Sequence, residues 1–356
     1  MNLNYKRILI IKPSSMGDVI HALPVAHAIK RTFPNVRIGW VIQSGLESFL
    51  ENDSSVDEII KISIPSTSDP YAKRGAYLRA GRSTITEWKR LRRQFTSSRY
   101  DVSMDLHASF RSGLISLANR GALRLGLADA KELNTYFQHE LIHPDPGKPH
   151  AVDKNLVFLS RFSIEPLKED FLLRLSDQVR QNVQVYLDSL RLPECKRIIY
   201  ANPAARWRTK MWNIKGWREL TEMILNQMRA IVLFGGGIND RSYIDKIIGE
   251  KKFPDVFNVA GRLTPVESAA LIEKSHVYVG VDSGPMHIAA FVGVPVVALF
   301  GPTDPAKVGP YSEHSVVIRN LALDCLGCRK KSCDNQRCMD EITPEQVLEA
   351  LLELLG

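Results

Sequence analysis

Short apolar runs alternate with stretches of helical periodicity along nearly the whole chain, and this alternation most limits what the chain can fold into. In the first half, the strand-like runs are residues 7–12, 36–43, 57–62 and 102–107, and the helical stretches are 19–32, 84–96 and 110–119. Parallel strands need a crossover, which is usually a helix. Strand–helix alternation with short turns therefore predicts a parallel sheet covered by helices on both faces.

A second series of the same kind follows a proline-rich break at residues 144–149. Its strand-like runs are 197–202, 230–235, 256–260, 276–281 and 295–300. A last helix is predicted from Thr343, a good N-cap residue, with Pro344 at the first helical position. The sequence therefore predicts an α/β protein of two doubly wound domains, at 1–177 and 196–342, joined by a linker at 178–195.

Composition agrees with a globular two-domain protein. The chain has 356 residues, of which 44% are hydrophobic and 24% charged, which excludes the disordered, collagen-like and disulfide-scaffold classes. No run approaches the roughly 18 apolar residues of a membrane span, and the apolar run 8–11 is too short for a signal peptide. We therefore expect a cytoplasmic protein whose five cysteines are reduced or metal-bound rather than paired.

Positive charge is concentrated in one part of the first half. The net charge is +8, and residues 71–124 hold twelve Lys and Arg against three Asp and Glu. Such asymmetry suits an acidic partner, either nucleic acid, a phosphorylated lipid or an anionic membrane surface, and the alternative is a solvated basic helix face. Much of the charge lies in or just after residues 66–83, which lack periodicity and are expected to form a mobile loop.

Ligands of such sheets bind beyond the carboxyl ends of the strands, so a site is expected in the segments that follow them. After the first strand comes KPSSMGDVIH, residues 12–21, where Gly17 and the serines permit a tight turn into a helix. Asp18 is well suited to cap that helix. With Lys12 just before the turn, the Asp18 carboxylate is also placed to accept a proton from a bound hydroxyl.

Two strand ends in the second half carry features of an anion site. Residues 202–212, NPAARWRTKMW, place three cations beside the start of a helix, where the helix dipole favours phosphate. Residues 281–287, VDSGPMH, end a strand and open a helix, so that Ser283 and Gly284 offer backbone amides to a diphosphate. The glycines at 235–237 permit close approach of a ligand, but they lack the third glycine of a dinucleotide fingerprint.

Together these segments resemble the ADP-heptose:lipopolysaccharide heptosyltransferases of glycosyltransferase family 9. The resemblance is carried by 12–21, by 210–212 with GWREL at 216–220, by 281–287 and by FGPTDP at 300–305. It spans nearly the whole chain, in the right order. It implies the GT-B fold, in which two Rossmann-like domains face each other across a cleft, the first binding the acceptor and the second the nucleotide sugar. The helix at 343–356 is then expected to pack back on the first domain.

The resemblance also implies roles for particular residues. Asp18 matches the catalytic base and Lys210 a lysine at the donor phosphates, so both are expected to be catalytic. The expected donor-binding residues are Ser14, Ser15, Gly17, Asn202, Arg206, Gly235, Asp282, Ser283, Gly284 and His287. The expected acceptor-binding residues are Lys12, Arg90, Arg92, Arg93, His107 and Arg111.

The implied reaction is an inverting transfer of heptose from ADP-heptose to the lipid A–Kdo region of lipopolysaccharide. The acceptor would be a phosphorylated glycolipid, met in peripheral contact with the inner face of the membrane. An oxocarbenium-like transition state needs a base for the acceptor hydroxyl and stabilisation of the departing ADP. Because the chain has no Asp-x-Asp triplet, no metal is expected in the chemistry, and Lys210 and the helix start at Ser283 and Gly284 would take that role.

Other functions stay open beside this one. An enzyme of the same fold can transfer heptose to protein, such as an autotransporter, and the acceptor alone separates the two. A non-enzymatic nucleic-acid-binding protein can use the basic residues 71–124, but that region has few aromatic residues placed for stacking and no recognised motif, so no nucleic-acid partner is expected. A nucleotide-linked dehydrogenase is disfavoured because Gly-x-Gly-x-x-Gly is absent.

Four cysteines form a compact group near the C-terminus. They are Cys325, Cys328, Cys333 and Cys338. Four thiolates can hold Zn or Fe tetrahedrally, as a structural metal site. The alternative is a set of reduced thiols in a folded loop.

Overall fold

The chain folds into two compact units that divide between Arg174 and Leu175. The computed structural model describes residues 5–65, 75–193, 196–249 and 253–356. Each unit is built on a six-stranded sheet whose neighbouring strands are all parallel. The prediction of two doubly wound α/β halves is confirmed.

The elements of the first unit are β1 (Arg7–Ile11), α1 (Met16–Ile20), α2 (Leu23–Thr32), β2 (Arg37–Gln43), β3 (Glu58–Ile62), α3 (Ala76–Ser97), β4 (Val102–Asp105), α4 (Phe110–Ala118), β5 (Leu123–Leu127), β6 (Glu140–Ile142) and α5 (Ala151–Leu156). The strand order is β3-β2-β1-β4-β5-β6. This is the Rossmann order, and the direction in which strands are added reverses between β1 and β4. The two strands at that reversal are the most buried of the sheet, as their apolar sequences require.

The elements of the second unit are α6 (Asp177–Ser189), β7 (Arg197–Asn202), α7 (Ile214–Gln227), β8 (Ala230–Phe234), α8 (Arg241–Ile248), β9 (Val256–Asn258), α9 (Pro265–Glu273), β10 (Val277–Val281), α10 (Gly284–Phe291), β11 (Val296–Leu299), α11 (Pro305–Val308), β12 (Ser315–Ile318), α12 (Arg337–Asp340) and α13 (Pro344–Leu355). Its sheet has the order β12-β11-β10-β7-β8-β9. Read from the other edge, this is the same Rossmann order, and the reversal lies between β7 and β10.

Several boundaries differ from those that periodicity predicts. The short strands β5, β6 and β12 were not expected, because they are partly exposed and lack a continuous apolar run. The single helix expected at 19–32 is two helices, and α2 begins with Pro24 in its first turn. The prediction of a mobile loop at 66–83 is wrong from residue 76 onward, because α3 begins there and runs for 22 residues. Residues 66–74 lie outside the described part of the chain.

The expected linker differs from the structure, and the expected packing of the last helix on the first domain stays a prediction. Most of 178–195 is α6, which packs on α9 in the second unit and is joined to it by the ion pair of Arg180 with Glu273. The last helix, α13, packs on α7 and on the second sheet. Its apolar face, including Val347 and Leu351, joins the second core. Trp212 donates from Nε1 to the Ile342 carbonyl at 3.1 Å, which holds the start of α13 there.

One buried ion pair ties three segments of the first unit together. The His27 side chain, on α2, lies 2.6 Å from Asp53 through Nε2 and 2.7 Å from the Asp170 carbonyl through Nδ1. Carboxylate and carbonyl oxygens only accept, so each ring nitrogen of His27 faces a hydrogen-bond acceptor. Burial acts to raise the pKa of Asp53, but His27, the Ser55 amide and Arg174 outweigh it, and this pKa lies below its ordinary value.

We expect His27→Ala to lower the free energy of unfolding by about 1–3 kcal/mol, because the buried Asp53 carboxylate loses the imidazole and keeps only Arg174 as a basic partner. Urea unfolding at neutral pH measures this change. In the wild type, the contribution of Asp53 is complete above the ordinary Asp pKa of about 3.9 and is lost as the pH falls through the lowered value.

The matched control is Lys154→Ala, which breaks the pair of Lys154 with Asp129, where both side chains are well exposed. Exposed pairs contribute about 0–1 kcal/mol. A loss in His27→Ala no larger than in this control would mean that the buried pair does not stabilise the unit.

Candidate functional site

In both units, polar residues gather where the strand order reverses. In the first sheet, Ile11 at the end of β1 is paired with Asp105 at the end of β4. In the second, Asn202 at the end of β7 is paired with Gly280 in β10. The segments that follow these strands therefore start side by side, which is where doubly wound sheets bind ligands.

Asp18 occupies the third position of α1, after the N-cap residue Ser15. Its Oδ2 accepts hydrogen bonds from the Ser15 amide at 2.8 Å and the Ser15 hydroxyl at 2.7 Å. The expected capping role is therefore real, although it is the role of the N3 residue rather than of the N-cap itself. No other hydrogen bond to this carboxylate is found among the described residues, so Oδ1 is left to accept a proton.

Lys12 sets the electrostatics around Asp18. Its Nζ donates to the Leu106 carbonyl at 2.7 Å, just after β4, and the side chain is buried. Burial acts to raise the pKa of Asp18, but Lys12, the two Ser15 hydrogen bonds and His107 outweigh it, so the pKa of Asp18 lies below its ordinary value. Burial lowers the pKa of Lys12 against the opposing charges of Asp18 and Asp105. Asp18 is thus a carboxylate at neutral pH.

Asp105 is a site residue that the motifs did not indicate. It is fully buried, and its carboxylate accepts hydrogen bonds from the His107 and Ala108 amides. The side chains of Ser112, Asn134 and Gln138 also donate to it. Burial raises the pKa of Asp105, while the hydrogen bonds oppose that change. An aspartate that ends an otherwise apolar strand was the available signal for it.

His107 and Arg111 belong to the same cluster. Burial, followed by the charge of Lys12, lowers the pKa of His107, and Arg111 lowers it further. Arg111 lies in the first turn of α4 and donates to the Pro65 carbonyl at 3.3 Å. The structure therefore brings together Lys12, His107 and Arg111 from the expected acceptor residues, beside Asp18.

The other expected acceptor residues lie on α3, where they differ in environment. The guanidinium of Arg90 is held by Glu87, Gln94 and the Lys61 carbonyl, so it fastens α3 to β3. Arg92 instead lies over the Trp88 ring, 5.0 Å from its centroid. A shallow cavity of about 460 Å³ is lined by Trp88, Lys89, Arg92, Arg93 and Thr96. The cations around this cavity are therefore Lys89, Arg92 and Arg93, and Arg90 has a structural contact instead.

In the second unit, Lys210 is tied to the loop after β10. Lys210 Nζ lies 2.6 Å from Asp282 Oδ2, and the Thr303 hydroxyl donates to the same oxygen at 2.6 Å. Asp282 is buried. Three segments, each following a different strand, thus converge on one carboxylate.

The start of α10 is fixed by the strand beside it. Asn202 donates from Nδ2 to the Ser283 hydroxyl at 2.9 Å and to the Ala204 carbonyl at 2.9 Å. Ser283 is the N-cap residue of α10, and Gly284 is the first residue of that helix. His287, one turn further on, is buried. The expected donor residues Asn202, Asp282, Ser283 and Gly284 therefore lie together with Lys210.

The remaining expected donor residues have other contacts or lie in other segments. A Cβ at Gly235 would lie 1.9 Å from the Tyr200 hydroxyl, so tyrosine packing already requires this glycine. Arg206 is exposed in the loop after β7. Ser14, Ser15 and Gly17 are in the first unit, in the turn that holds Asp18.

The four C-terminal cysteines are not arranged as a metal site. Cys325, Cys328 and Cys333 are exposed, and Cys338 is half-buried. Burial, then the other three cysteines, raise the pKa of Cys338 to about 11, so this thiol is protonated at neutral pH. Throughout the described ranges, no group of three or more His, Cys, Asp or Glu side chains is placed to hold a metal.

None of the helices in the described ranges is both long and apolar enough to cross a membrane.

Comparison with known proteins agrees with this geometry. The chain is 25% identical over 317 residues to the lipopolysaccharide core heptosyltransferase OpsX of Haemophilus influenzae, covering 88% of this chain and 84% of that protein. It is also 25% identical over 332 residues to lipopolysaccharide heptosyltransferase 1 of Pseudomonas aeruginosa, covering 93% of this chain and 88% of that one.

Solved structures share the fold over the full length. A glycosyltransferase family 9 protein from Veillonella parvula matches with a TM-score of 0.82 at 22% identity, covering 100% of this chain and 98% of that one. The Escherichia coli heptosyltransferase WaaC with ADP matches with a TM-score of 0.73 at 20% identity, covering 98% and 99%. The α/β architecture is thus that of the GT-B heptosyltransferases. The model of glycosyltransferase family 9 (heptosyltransferase) matches residues 88–339, well over half of the chain, and the protein belongs to this glycosyltransferase family.

Proposed function

We propose that this glycosyltransferase moves a heptose from ADP-heptose to the inner core of lipopolysaccharide, with inversion at the anomeric carbon. The observation that carries the proposal is the pair of polar clusters at the two strand-order reversals, around Asp18 and around Lys210. Relatives with similar sequences are lipopolysaccharide core heptosyltransferases, and a solved relative of the same fold was studied with ADP-2-deoxy-2-fluoro heptose.

Asp18 is the proposed general base. The acceptor hydroxyl oxygen forms a bond to the anomeric carbon, its proton passes to Asp18 Oδ1, and the bond from that carbon to the ADP oxygen breaks. The two Ser15 hydrogen bonds occupy Oδ2 and hold the carboxylate in one orientation. Lys12 and the Ser15 hydrogen bonds keep it ionised and ready to accept the proton.

The second unit is proposed to bind the donor. Lys210 and the amides at the start of α10 would face the diphosphate, with Asp282 and Thr303 orienting the lysine. A fixed cation and backbone amides can stabilise a leaving diphosphate in the manner of a metal ion. We propose that the transfer needs no metal.

The first unit is proposed to bind a phosphorylated glycolipid at the inner face of the membrane. Lys89, Arg92 and Arg93 surround the cavity at Trp88, which suits an anionic group. On the same helix, Leu78 is 75% and Ile85 56% exposed. Exposed apolar residues among cations are typical of helices that lie on anionic bilayer surfaces, which supports peripheral membrane contact.

The proposed function is tested by incubating the protein with ADP-heptose and a panel of truncated lipopolysaccharide acceptors, with a folded autotransporter domain as the competing acceptor. We expect release of ADP and a product larger by one heptose with an inner-core glycolipid. Transfer to the polypeptide alone would support the protein-directed alternative instead.

Asp18→Asn should lower kcat by about 10²–10⁴-fold, because the amide keeps the capping contact with Ser15 but cannot accept the proton. Steady-state kinetics with the glycolipid acceptor measure the effect. Ser15→Ala is the matched control, since it keeps the base and removes a hydrogen bond that lowers the pKa of Asp18. It should move the acid limb of kcat/KM to higher pH. Near-normal turnover in Asp18→Asn would leave Asp18 with only the capping role.

Replacing Lys89, Arg92 and Arg93 together by alanine should raise KM for a phosphorylated acceptor and leave KM for ADP-heptose nearly unchanged. The difference from wild type should shrink with added salt, since the Debye length is only about 8 Å at physiological ionic strength. Lys131 and Lys148, both exposed in the first unit and outside α3, provide a control pair of alanine substitutions. Equal changes in both KM values would contradict the assignment of α3 to the acceptor.

Excess EDTA should leave the rate of transfer largely unchanged, because the proposed leaving-group stabilisation comes from Lys210 and the start of α10. The measurement is ADP release at saturating substrates, with and without chelator. Loss of activity that added Mg²⁺ restores would refute the metal-free proposal.

A further inference from the structure

The proposed donor site has less positive charge than its lysine suggests. Lys210 is in an ion pair with Asp282 at 2.6 Å, and this carboxylate is buried, so the pair contributes no net charge. The departing nucleoside diphosphate carries several negative charges. A cation that no carboxylate of the protein already neutralises adds to the stabilisation that Lys210 and the amides of α10 supply.

A second lysine, distant in the sequence, lies near the same indole ring as Lys210. The Nζ atoms of Lys210 and Lys331 lie 4.8 Å and 5.2 Å from the centroid of the Trp207 indole ring. Lys331 is exposed, and within the described ranges no carboxylate is paired with it. An indole attracts cations over its face, so Trp207 contacts both cations.

Lys331 is brought there by residues 325–338, named the cysteine segment here. This segment is hydrogen-bonded to the loop after β7, because the Thr209 hydroxyl donates to the Lys330 carbonyl at 2.8 Å and Gln336 Nε2 donates to the Met211 carbonyl at 2.9 Å. It is also bonded to the loop after β11, since the Arg329 amide donates to the Pro302 carbonyl at 2.7 Å. The same two loops hold Lys210 and Thr303.

We propose that Lys331 is a second phosphate-binding residue of the donor site, with Trp207 as the surface that positions both lysines. Two ammonium groups held near one ring raise the positive potential around it, which favours a bound anion. A nucleoside diphosphate supplies such an anion. Lys331 then provides the net positive charge that Lys210 lacks. The inference rests on the proposed function, since it adds a contact to the same donor site.

The test is calorimetric titration of the full-length protein with ADP. Lys331→Ala should weaken binding about tenfold, and Lys331→Arg should retain most of the affinity. Lys330→Ala is the matched control, because this neighbour contacts Thr209 through its backbone carbonyl and not through its side chain. Its affinity for ADP should be close to that of wild type. Adenosine, which has no phosphate, should bind the wild type and Lys331→Ala equally.

Trp207 is tested by a double-mutant cycle. If Trp207 positions Lys331, the loss caused by Lys331→Ala should be smaller in a Trp207→Ala background than in the wild type. Purely additive losses would overturn the role given to Trp207.

The outcomes separate the inference from the proposed function. Absence of ADP binding by the wild type would contradict the proposed function itself. Normal ADP binding by the wild type together with unchanged affinity in Lys331→Ala would overturn the inference and leave the function standing. An equal loss in Lys330→Ala would also overturn it, because general surface charge would then explain the effect.

Discussion

The site depends on one constraint, the reversal of strand order in each parallel sheet. The crossover helices that follow the two strands at the reversal run toward opposite edges of the sheet. No helix therefore covers the carboxyl ends of these two strands. Ile11 and Asp105 are neighbours at that position in the first sheet, and Asn202 and Gly280 in the second. Polar side chains after these strands can approach each other there without disturbing the apolar core.

The two units handle buried charge in different ways. In the first, the charges of Asp18 and Asp105 oppose the lowering of the Lys12 pKa by burial, and Lys12 in turn lowers the pKa of Asp18. In the second, Lys210 has one partner, Asp282, so that the pair is neutral. Buried ions are tolerated only when they are paired or well hydrogen-bonded. Arg93 and Lys331, by contrast, are cations that stay exposed.

Residue type alone does not show whether a cation is held by neighbouring groups or stays exposed. Arg90 and Arg93 are three positions apart on one helix, yet Arg90 is held by Glu87, Gln94 and the Lys61 carbonyl, while Arg93 lines the cavity at Trp88. The Lys61 carbonyl belongs to β3, far away in the chain. The need for glycine at position 235 also depends on a residue distant in the chain. The side chain of Tyr200, on the neighbouring strand, leaves no room for a Cβ there.

The sequence by itself determined the two parallel sheets, the strand ends at which the site lies and the motifs around Asp18, Lys210 and Asp282. These follow from local patterns, since periodicity and turn residues act within a few positions of each other. Only the tertiary structure decided that α13 packs on the second sheet, that Asp105 joins the cluster of Lys12, and that Lys331 meets Trp207. Each of these contacts joins residues distant in the chain. Their energies come from burial and from the close approach of charged groups, and both require the folded chain.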